Sequence, residues 1–408
     1  MLSVKDALEI GRLKNCSVVA GQNGLDRIIR YVTVMEVPDI SQWLKGGDFV
    51  ITSLYSVRDS LEKQCRLIEE LNRVNSAAIA IKTNRYISKI PDEVIKIANE
   101  KNFPVIEIPK NITYIDIMTP LMEKIFDLQN HFKIIEEYIR EIIFHTYKNR
   151  ASILERGRTL GYEIEEGCFY VFLTDINDFE SIAKKFKYDE RKLNALKENL
   201  YKSIYGASKD LSNREGVTDF LIFRKSDSVA VFMHFKNEDS AYKSANEFLK
   251  SIIRYSKYYE KEIKITIGVS SIVYGIEGLE KGYKQSETAI KFGRVLDKNK
   301  DYYKYNDFEL FDMIFGEDLF KVEYVVNSTL GKLKNNEKLI ETLLEYFDCN
   351  EDINMAAQKL YVHKNTLKYR VNSAESITGY DIRNINDKIK LYLGVTAYKM
   401  LSNMTKKD

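Results

Sequence analysis

Apolar positions recur with different periods along this chain, and the changes of period divide it. Through the first 110 residues the apolar residues come in short runs, at Val18–Ala20, Val32–Val37, Phe49–Thr52, Ala77–Ile81 and Val105–Ile108. Such runs predict buried strands. Helical spacing fills the intervals Ser60–Val74 and Pro91–Asn99, so strand and helix alternate as in a parallel α/β sheet. Ser3 precedes a short amphipathic stretch as its N-cap. From Leu128 the spacing lengthens to a heptad: Leu128, Phe132, Ile135, Ile139 and Ile142 form a seam, widened by Ile134, Tyr138 and Ile143. That seam packs either on the chain's own domains or on a second copy.

Beyond it, Cys168–Asp175 predicts a strand, two helical segments occupy about Tyr188–Ile204, and Phe220–Phe223 pairs with Val229–Phe235 as a hairpin. A helix at Ser240–Tyr258, a strand at Ile263–Ser270 and a helix at Gly278–Gly293 follow. The remainder is helical: a connector over Asp307–Lys334 docked by Phe308, Leu310, Phe311 and Ile314, a helix carrying Leu339, Leu343, Leu344 and Phe347, and a last helix with Ile389, Leu393 and Leu401 on its apolar side. The expected fold class is multidomain α/β and α+β ending in an all-α module.

Within that module, residues 353–377 read as two helices joined by a tight turn at Tyr361 and Val362. Met355, Ala356, Ala357 and Leu360 give the first an apolar side, and the small alanines admit a close crossing. In the second, Leu367, Val371, Ala374 and Ile377 step by four, three and three, one buried face. The rest of its first half carries Lys364, Asn365, Thr366, Lys368, Tyr369, Arg370 and Asn372, with no acid before Glu375. A DNA-reading helix needs one face seated on its partner and, on the N-terminal half of the other, donors for base edges and phosphates. A helical hairpin with a merely solvated polar face is the alternative.

The run His363, Asn365, Thr366, Leu367, Tyr369, Arg370, followed by Ile377, Thr378 and Gly379, resembles the C-terminal helix-turn-helix of the PucR family of bacterial transcriptional regulators, which includes the sugar-diacid regulators. The N-terminal region is similar to that family's sensory domain through Ala20–Arg27 (AGQNGLDR) and Met35–Ser53. In the middle region, Thr266–Ser271 (TIGVSS) and Gly282–Gly293 resemble the family's GGDEF-like, nucleotide-cyclase-like domain. These resemblances imply a sensory domain at 1–126, a connecting helix at 127–160, a degenerate GGDEF-like domain at 161–306, a connector at 307–334 and a helix-turn-helix domain at 335–402. They imply an effector-responsive regulator, an activator of a catabolic pathway for purines, amino acids or sugar acids.

The cyclase resemblance raises a second function, a nucleotide-signalling enzyme of the diguanylate-cyclase type. That chemistry needs a Gly-Gly-Asp/Glu-Glu-Phe hairpin. The corresponding turn here is Lys225, Ser226, Asp227 and Ser228, with no glycine and one carboxylate. Asp175 and Asp178 resemble the cyclase's metal-bearing strand, and two carboxylates hold a hard cation only weakly. No enzyme activity, cofactor or metal is expected.

Composition changes this picture little. Of 408 residues 30% are charged and 44% hydrophobic, the net charge is only +2, and local placement therefore carries the nucleic-acid argument. Glu341, Glu345, Asp348, Glu351 and Asp352, just upstream of the reading helix, must face away from phosphates. Cys16, Cys65, Cys168 and Cys349 form no C-x-x-C, so free thiols are expected. No secretory leader or membrane span is evident, which predicts a soluble, cytoplasmic protein.

The DNA-binding candidates are thus His363, Lys364, Asn365, Thr366, Lys368, Tyr369, Arg370 and Asn372. Effector candidates are Glu36, Asp39, Trp43 and Asp48 near strand ends, each with an ordinary alternative: turn capping for the acids, a core or lid aromatic for the single tryptophan. The expected partners are double-stranded DNA, a small-molecule effector and further copies of the chain. RNA polymerase is a candidate contact, and no membrane is expected.

Overall fold

A computed structural model describes residues 2–405 apart from Glu36, Ser226, 260–263, 297–299 and Glu317. Glu36, Ser226 of the hairpin turn and Ile263 of the predicted strand therefore lie outside the described residues. The chain divides into two units, 1–134 and 135–408.

In the first unit, Ser3 caps a one-turn helix, Val4–Ala7, through a reciprocal box with Asp6. Five strands of one sheet follow: β1 (Ser17–Ala20), β2 (Tyr31–Val34), β3 (Asp48–Thr52), β4 (Ala78–Lys82) and β5 (Val105–Ile108). They lie in the order β1-β5-β4-β3-β2. The pairs β2/β3, β3/β4 and β4/β5 are parallel, as the alternation of strand and helix predicts, while β1 joins antiparallel to β5 at the edge. Helices α1 (Leu61–Arg73) and α2 (Asp92–Glu100) make the crossovers. The apolar runs are continuous because both sheet faces are covered: Val50, Ile79, Ile81 and Val105 pack on one side, Phe49, Ile51, Ala78 and Ile106 on the other.

Helix α3 (Ile115–Ile143) starts a dozen residues before the heptad seam predicts, with Pro120 in its second turn. Most of the seam packs on the chain's own cores, while Ile134 stays exposed. Leu128 packs in the first unit, and Ile135, Ile139 and Ile142 are buried in the core of the second.

The second unit continues with α4 (Arg150–Thr159), β6 (Cys168–Ile176), α5 (Phe179–Lys185), α6 (Glu190–Ser212), β7 (Val217–Arg224), β8 (Ser228–Phe235), α7 (Glu238–Tyr259), β9 (Ile265–Val269), α8 (Gly275–Leu296) and β10 (Tyr302–Lys304). The sheet order is β10-β9-β6-β8-β7. Only β9/β10 is parallel; the predicted hairpin β7–β8 is in register from Val229 opposite Arg224.

The all-α end comprises α9 (Glu309–Phe315), α10 (Leu319–Leu330), α11 (Glu337–Asp348), α12 (Ile353–Lys359), α13 (Lys364–Thr378) and α14 (Ile385–Thr405). Its apolar faces depart from expectation in three places. On α9, Phe308 at the N-cap and Phe315 are buried and Phe311 packs against the core, whereas Leu310 and Ile314 are exposed. On α14 the buried positions are Leu391, Val395, Ala397 and Met400; Ile389 is exposed and Leu393 and Leu401 sit at the margin. The rotation follows from Gly394, where a Cβ would fall 2.1 Å from Thr329 Oγ1, so this glycine lets α14 cross α10 at closest approach. On the helix pair, Met355 and Ile377 are exposed while Ala356, Ala357, Leu367, Val371 and Ala374 are buried.

Candidate nucleic-acid interface

Helix α12 begins at Asp352, whose carboxylate accepts from the Asn354 and Met355 N–H groups at 2.8 and 3.0 Å. It ends in a turn at Leu360–His363. Tyr361 takes a left-handed φ of 52° there, which frees the Val362 N–H to reach back to the Ala357 carbonyl at 2.9 Å. Helix α13 then starts at His363, whose Nδ1 accepts from the Asn365 N–H at 3.2 Å. It stops at Gly379, where φ is 77° and the N–H bonds to the Glu375 carbonyl. Leu367 and Val371 close on Ala356, Ala357 and Tyr346, which fixes the crossing.

Seven of the eight predicted contacts share the solvent side of this frame: His363, Lys364, Asn365, Thr366, Lys368, Tyr369 and Asn372 are all exposed. Arg370 is the exception. It is half-buried and donates from Nη1 to Thr342 Oγ1 on α11 at 3.4 Å, so it ties α13 to its support. Among the described residues neither Lys364 nor Lys368 has an ion-pair partner. Three of the five upstream acids are engaged elsewhere. Glu345 meets Lys359 Nζ at 2.7 Å, Glu351 meets Lys388 Nζ at 2.7 Å, and Asp352 caps α12. Burial disfavours the Glu345 charge, but hydrogen bonds from Lys359 and Cys349 outweigh it and hold the carboxyl below its ordinary range. A cationic face thus stands beside an acidic segment in which Glu345 and Glu351 are paired with lysines of the same module.

In the sequence Tyr361 is marked only as a turn residue. It is 96% exposed at the turn that feeds α13, alongside Tyr369.

The effector candidates separate. Asp48 is buried at the amino end of β3, and its carboxylate accepts from the Gly46 and Lys45 N–H groups at 2.8 and 3.1 Å and from Thr33. Burial pushes this carboxyl up against those hydrogen bonds. Gly46 and Gly47 supply the positive φ that the turn requires. Asp39 accepts from Gln42 at 3.2 Å, and Trp43 lies exposed.

At the opposite, carboxyl edge of the same sheet a different group converges. Leu54 after β3 and Asn84 after β4 both adopt left-handed backbone, φ 57° and 59°, and Leu54 does so while buried. Strain of this kind in a bulky residue persists only where the surroundings enforce it. It brings Tyr55 and Tyr86 together, ring centroids 4.7 Å apart. Arg58 lies over Tyr55 at 4.2 Å and Arg85 over Tyr86 at 5.4 Å. Tyr114, after β5, completes the group: burial raises its hydroxyl, opposed by a hydrogen bond with Ser53 and by the charge of Arg85, and Lys82 lies 5.9 Å from its ring.

In the middle sheet, Asp175 is no open ligand. Arg294 Nη1 contacts its Oδ2 at 2.6 Å, and Arg294 and Thr266 both donate to Asn177 Oδ1, at 2.5 and 2.7 Å. Burial nevertheless pushes the Asp175 carboxyl up. Asp178 is exposed at the start of α5, and Lys225 in the β7–β8 turn pairs with Glu287 at 3.1 Å. Among the described residues no three His, Cys, Asp or Glu side chains are grouped to hold a metal. Among those residues, too, no helix is long and apolar enough to cross a membrane.

Comparison with known proteins places these regions in order. The chain matches the purine catabolism regulatory protein-like family over residues 6–125, a GGDEF-like domain over 146–292 and the PucR C-terminal helix-turn-helix domain over 339–397. It is 21% identical to the purine catabolism regulatory protein of Bacillus subtilis, across 98% of this chain and 100% of that protein. The proline-responsive transcriptional activator PutR of the same organism is 25% identical over 46% of this chain and 47% of its own length. The carbohydrate diacid regulator of Escherichia coli is 26% identical over 35% of this chain and 38% of its own.

Proposed function

Because the chain belongs to the PucR family of transcriptional regulators, we propose that α13 enters the major groove of duplex DNA and that a small molecule bound by the first unit controls it. The observation that carries this is the exposed, unpaired cationic and amide face of α13 on an apolar seat. Lys364 and Lys368 contact phosphates, aided by the positive end of the helix dipole. Asn365 and Thr366 reach base edges, and Tyr361 and Tyr369 flank them against the backbone. Arg370 serves as a positioning residue through Thr342. The protein acts in the cytoplasm as an activator of a catabolic pathway, in keeping with the named activator PutR.

The test is Asn365→Ala in a competition between operator and random DNA. Discrimination at one base pair should relax by about 1–3 kcal/mol with little change in non-specific affinity. Unaltered discrimination removes Asn365 from the readout.

The effector is proposed to bind at the carboxyl edge of the first sheet, between Tyr55, Tyr86 and Tyr114. Ligands of open α/β sheets collect at that edge. The rings offer stacking surface and Arg58, Arg85 and Lys82 offer positive charge, which together select a planar, anionic metabolite. The middle domain is read as a structural relay rather than a cyclase: Arg294 already neutralises Asp175, and the β7–β8 turn has no glycine to admit a nucleotide. Purified protein given GTP and magnesium should form no cyclic dinucleotide.

A further inference from the structure

Helices α9 and α10 are each apolar on two sides. Inward, Phe315, Val322, Val326 and Leu330 are buried in the core that also holds α11 and α14. Outward, Leu310 is 70% exposed, Met313 75%, Phe320 84% and Tyr324 73%, with Ile314 and Leu319 beside them. A helix apolar all round is normally covered all round. Isolated exposed apolar residues need no explanation, but six large ones on two consecutive helices form a patch of the size that marks an interaction site.

Three features choose the occupant. Glu309, Asp318 and Glu323 are exposed at the patch against a single lysine, Lys321, so nucleic acid and an anionic lipid surface are disfavoured, and a second copy fits with these acids at the solvated rim of the contact. The composition, Phe, Tyr, Met and Leu, is that of a protein–protein interface centre. The area is of the right order: Phe320 and Tyr324 are aromatics of the kind that bury roughly 150–250 Å² each, four aliphatic side chains surround them, and a stable pair buries roughly 800 Å² per partner. A regulator with one reading helix per chain needs a second copy to contact two half-sites. The 3-10 turn Gly331–Asn335 that ends α10 packs against α13, so a contact here would set the spacing of two reading helices directly.

We propose that the outer face of α9 and α10 is the surface on which two copies of this chain pair about a two-fold axis. The pairing deepens the DNA-binding reading above, but its first test stands without DNA. Sedimentation equilibrium of the full chain should give the mass of two chains, and Phe320→Glu and the double variant Leu310→Glu/Met313→Glu should each give one. Circular dichroism melts should show the same helix content, because the altered side chains point to solvent. On DNA carrying two half-sites, the variants should lose affinity by about 10²-fold while single half-site binding stays unchanged. A wild-type mass of one chain, or variants that both remain paired, overturns the proposal. Loss of single half-site binding in wild type would instead strike the reading of α13 and leave the pairing intact.

Discussion

The face of α13 and the carboxyl edge of the first sheet both gather cationic and aromatic side chains in the open, yet they are assembled in opposite ways. The first draws Lys364 through Asn372 from one helix, within nine consecutive residues, and its geometry follows from helical pitch alone. The second draws Tyr55, Arg58, Arg85, Tyr86 and Tyr114 from loops after three different strands, about thirty residues apart, and exists only once the sheet has formed. A local site is specified by period; a convergent site is specified by strand order. The two should therefore differ in how they fail when altered.

The largest expected effect lies beneath α13. Leu367 is completely buried where α13 meets α12, and Leu367→Ala should cost about 2–5 kcal/mol of stability in chemical unfolding, with loss of DNA binding as the helix leaves its seat. A fully stable Leu367→Ala protein would break the view that packing presents the face. Next comes the face itself. Lys368→Ala should weaken binding to all DNA sequences alike and reduce the salt dependence of affinity by about one counterion, read from binding isotherms at several salt concentrations. A change confined to one base pair would move Lys368 from phosphate to base contact.

At the convergent site the same logic predicts a dissociation of function from fold. Benzoate should raise the melting temperature of the protein, whereas cyclohexanecarboxylate, which is charged but not planar, and benzamide, which is planar but uncharged, should do so far less. Arg85→Gln with Tyr86→Ala should abolish the benzoate shift and leave the unfolding free energy of the unliganded protein within about 0.5 kcal/mol of wild type, since both residues are exposed. An equal shift in the variant, or none in wild type, excludes this edge as the site.

The same contrast explains what could be read from residues in order. The seat of α13 was legible because Leu367, Val371 and Ala374 must repeat at helical spacing to be buried at all. Its solvent face was legible because those positions were what remained. Arg370 was not separable from its neighbours, since only the crossing with α11 places Thr342 beneath it. The seam on α3 shows the limit of period: Ile135, Ile139 and Ile142 announce a buried stripe, and nothing in the spacing says that their partners are β-sheet side chains of the same chain. Leu310 and Ile314 show the converse, apolar residues at docking intervals that face outward. For the first sheet, strand runs were clear, but choosing acids near strand ends favoured Asp48, which caps a turn at the amino edge. The carboxyl edge was hidden because its residues share no local pattern.

The smallest effects, and the sharpest test of the contrast, are two carboxylates whose titrations run in opposite directions. Glu345 in the helical module is held below its ordinary value of 4.5: burial opposes its charge, but Lys359 and Cys349 more than compensate. A folded value below the unfolded one means that the charged form stabilises the fold. That contribution is present above the unfolded value and is lost as pH falls through the depressed folded one. Asp48 in the first sheet is held above its ordinary 3.8, chiefly by burial, in spite of hydrogen bonds from Gly46, Lys45 and Thr33. Its charged form is the costly one, so its contribution declines as pH rises from the unfolded value through the raised folded one. Against wild type, the melting deficit of Glu345→Gln should therefore shrink on acidification, whereas that of Asp48→Asn should grow, because wild-type Asp48 becomes the neutral acid its site prefers. Two deficits moving in parallel with pH would mean that one of these carboxyls does not sit in the environment described, and the opposition between an ion-paired, half-buried acid and a buried turn cap would fall with it.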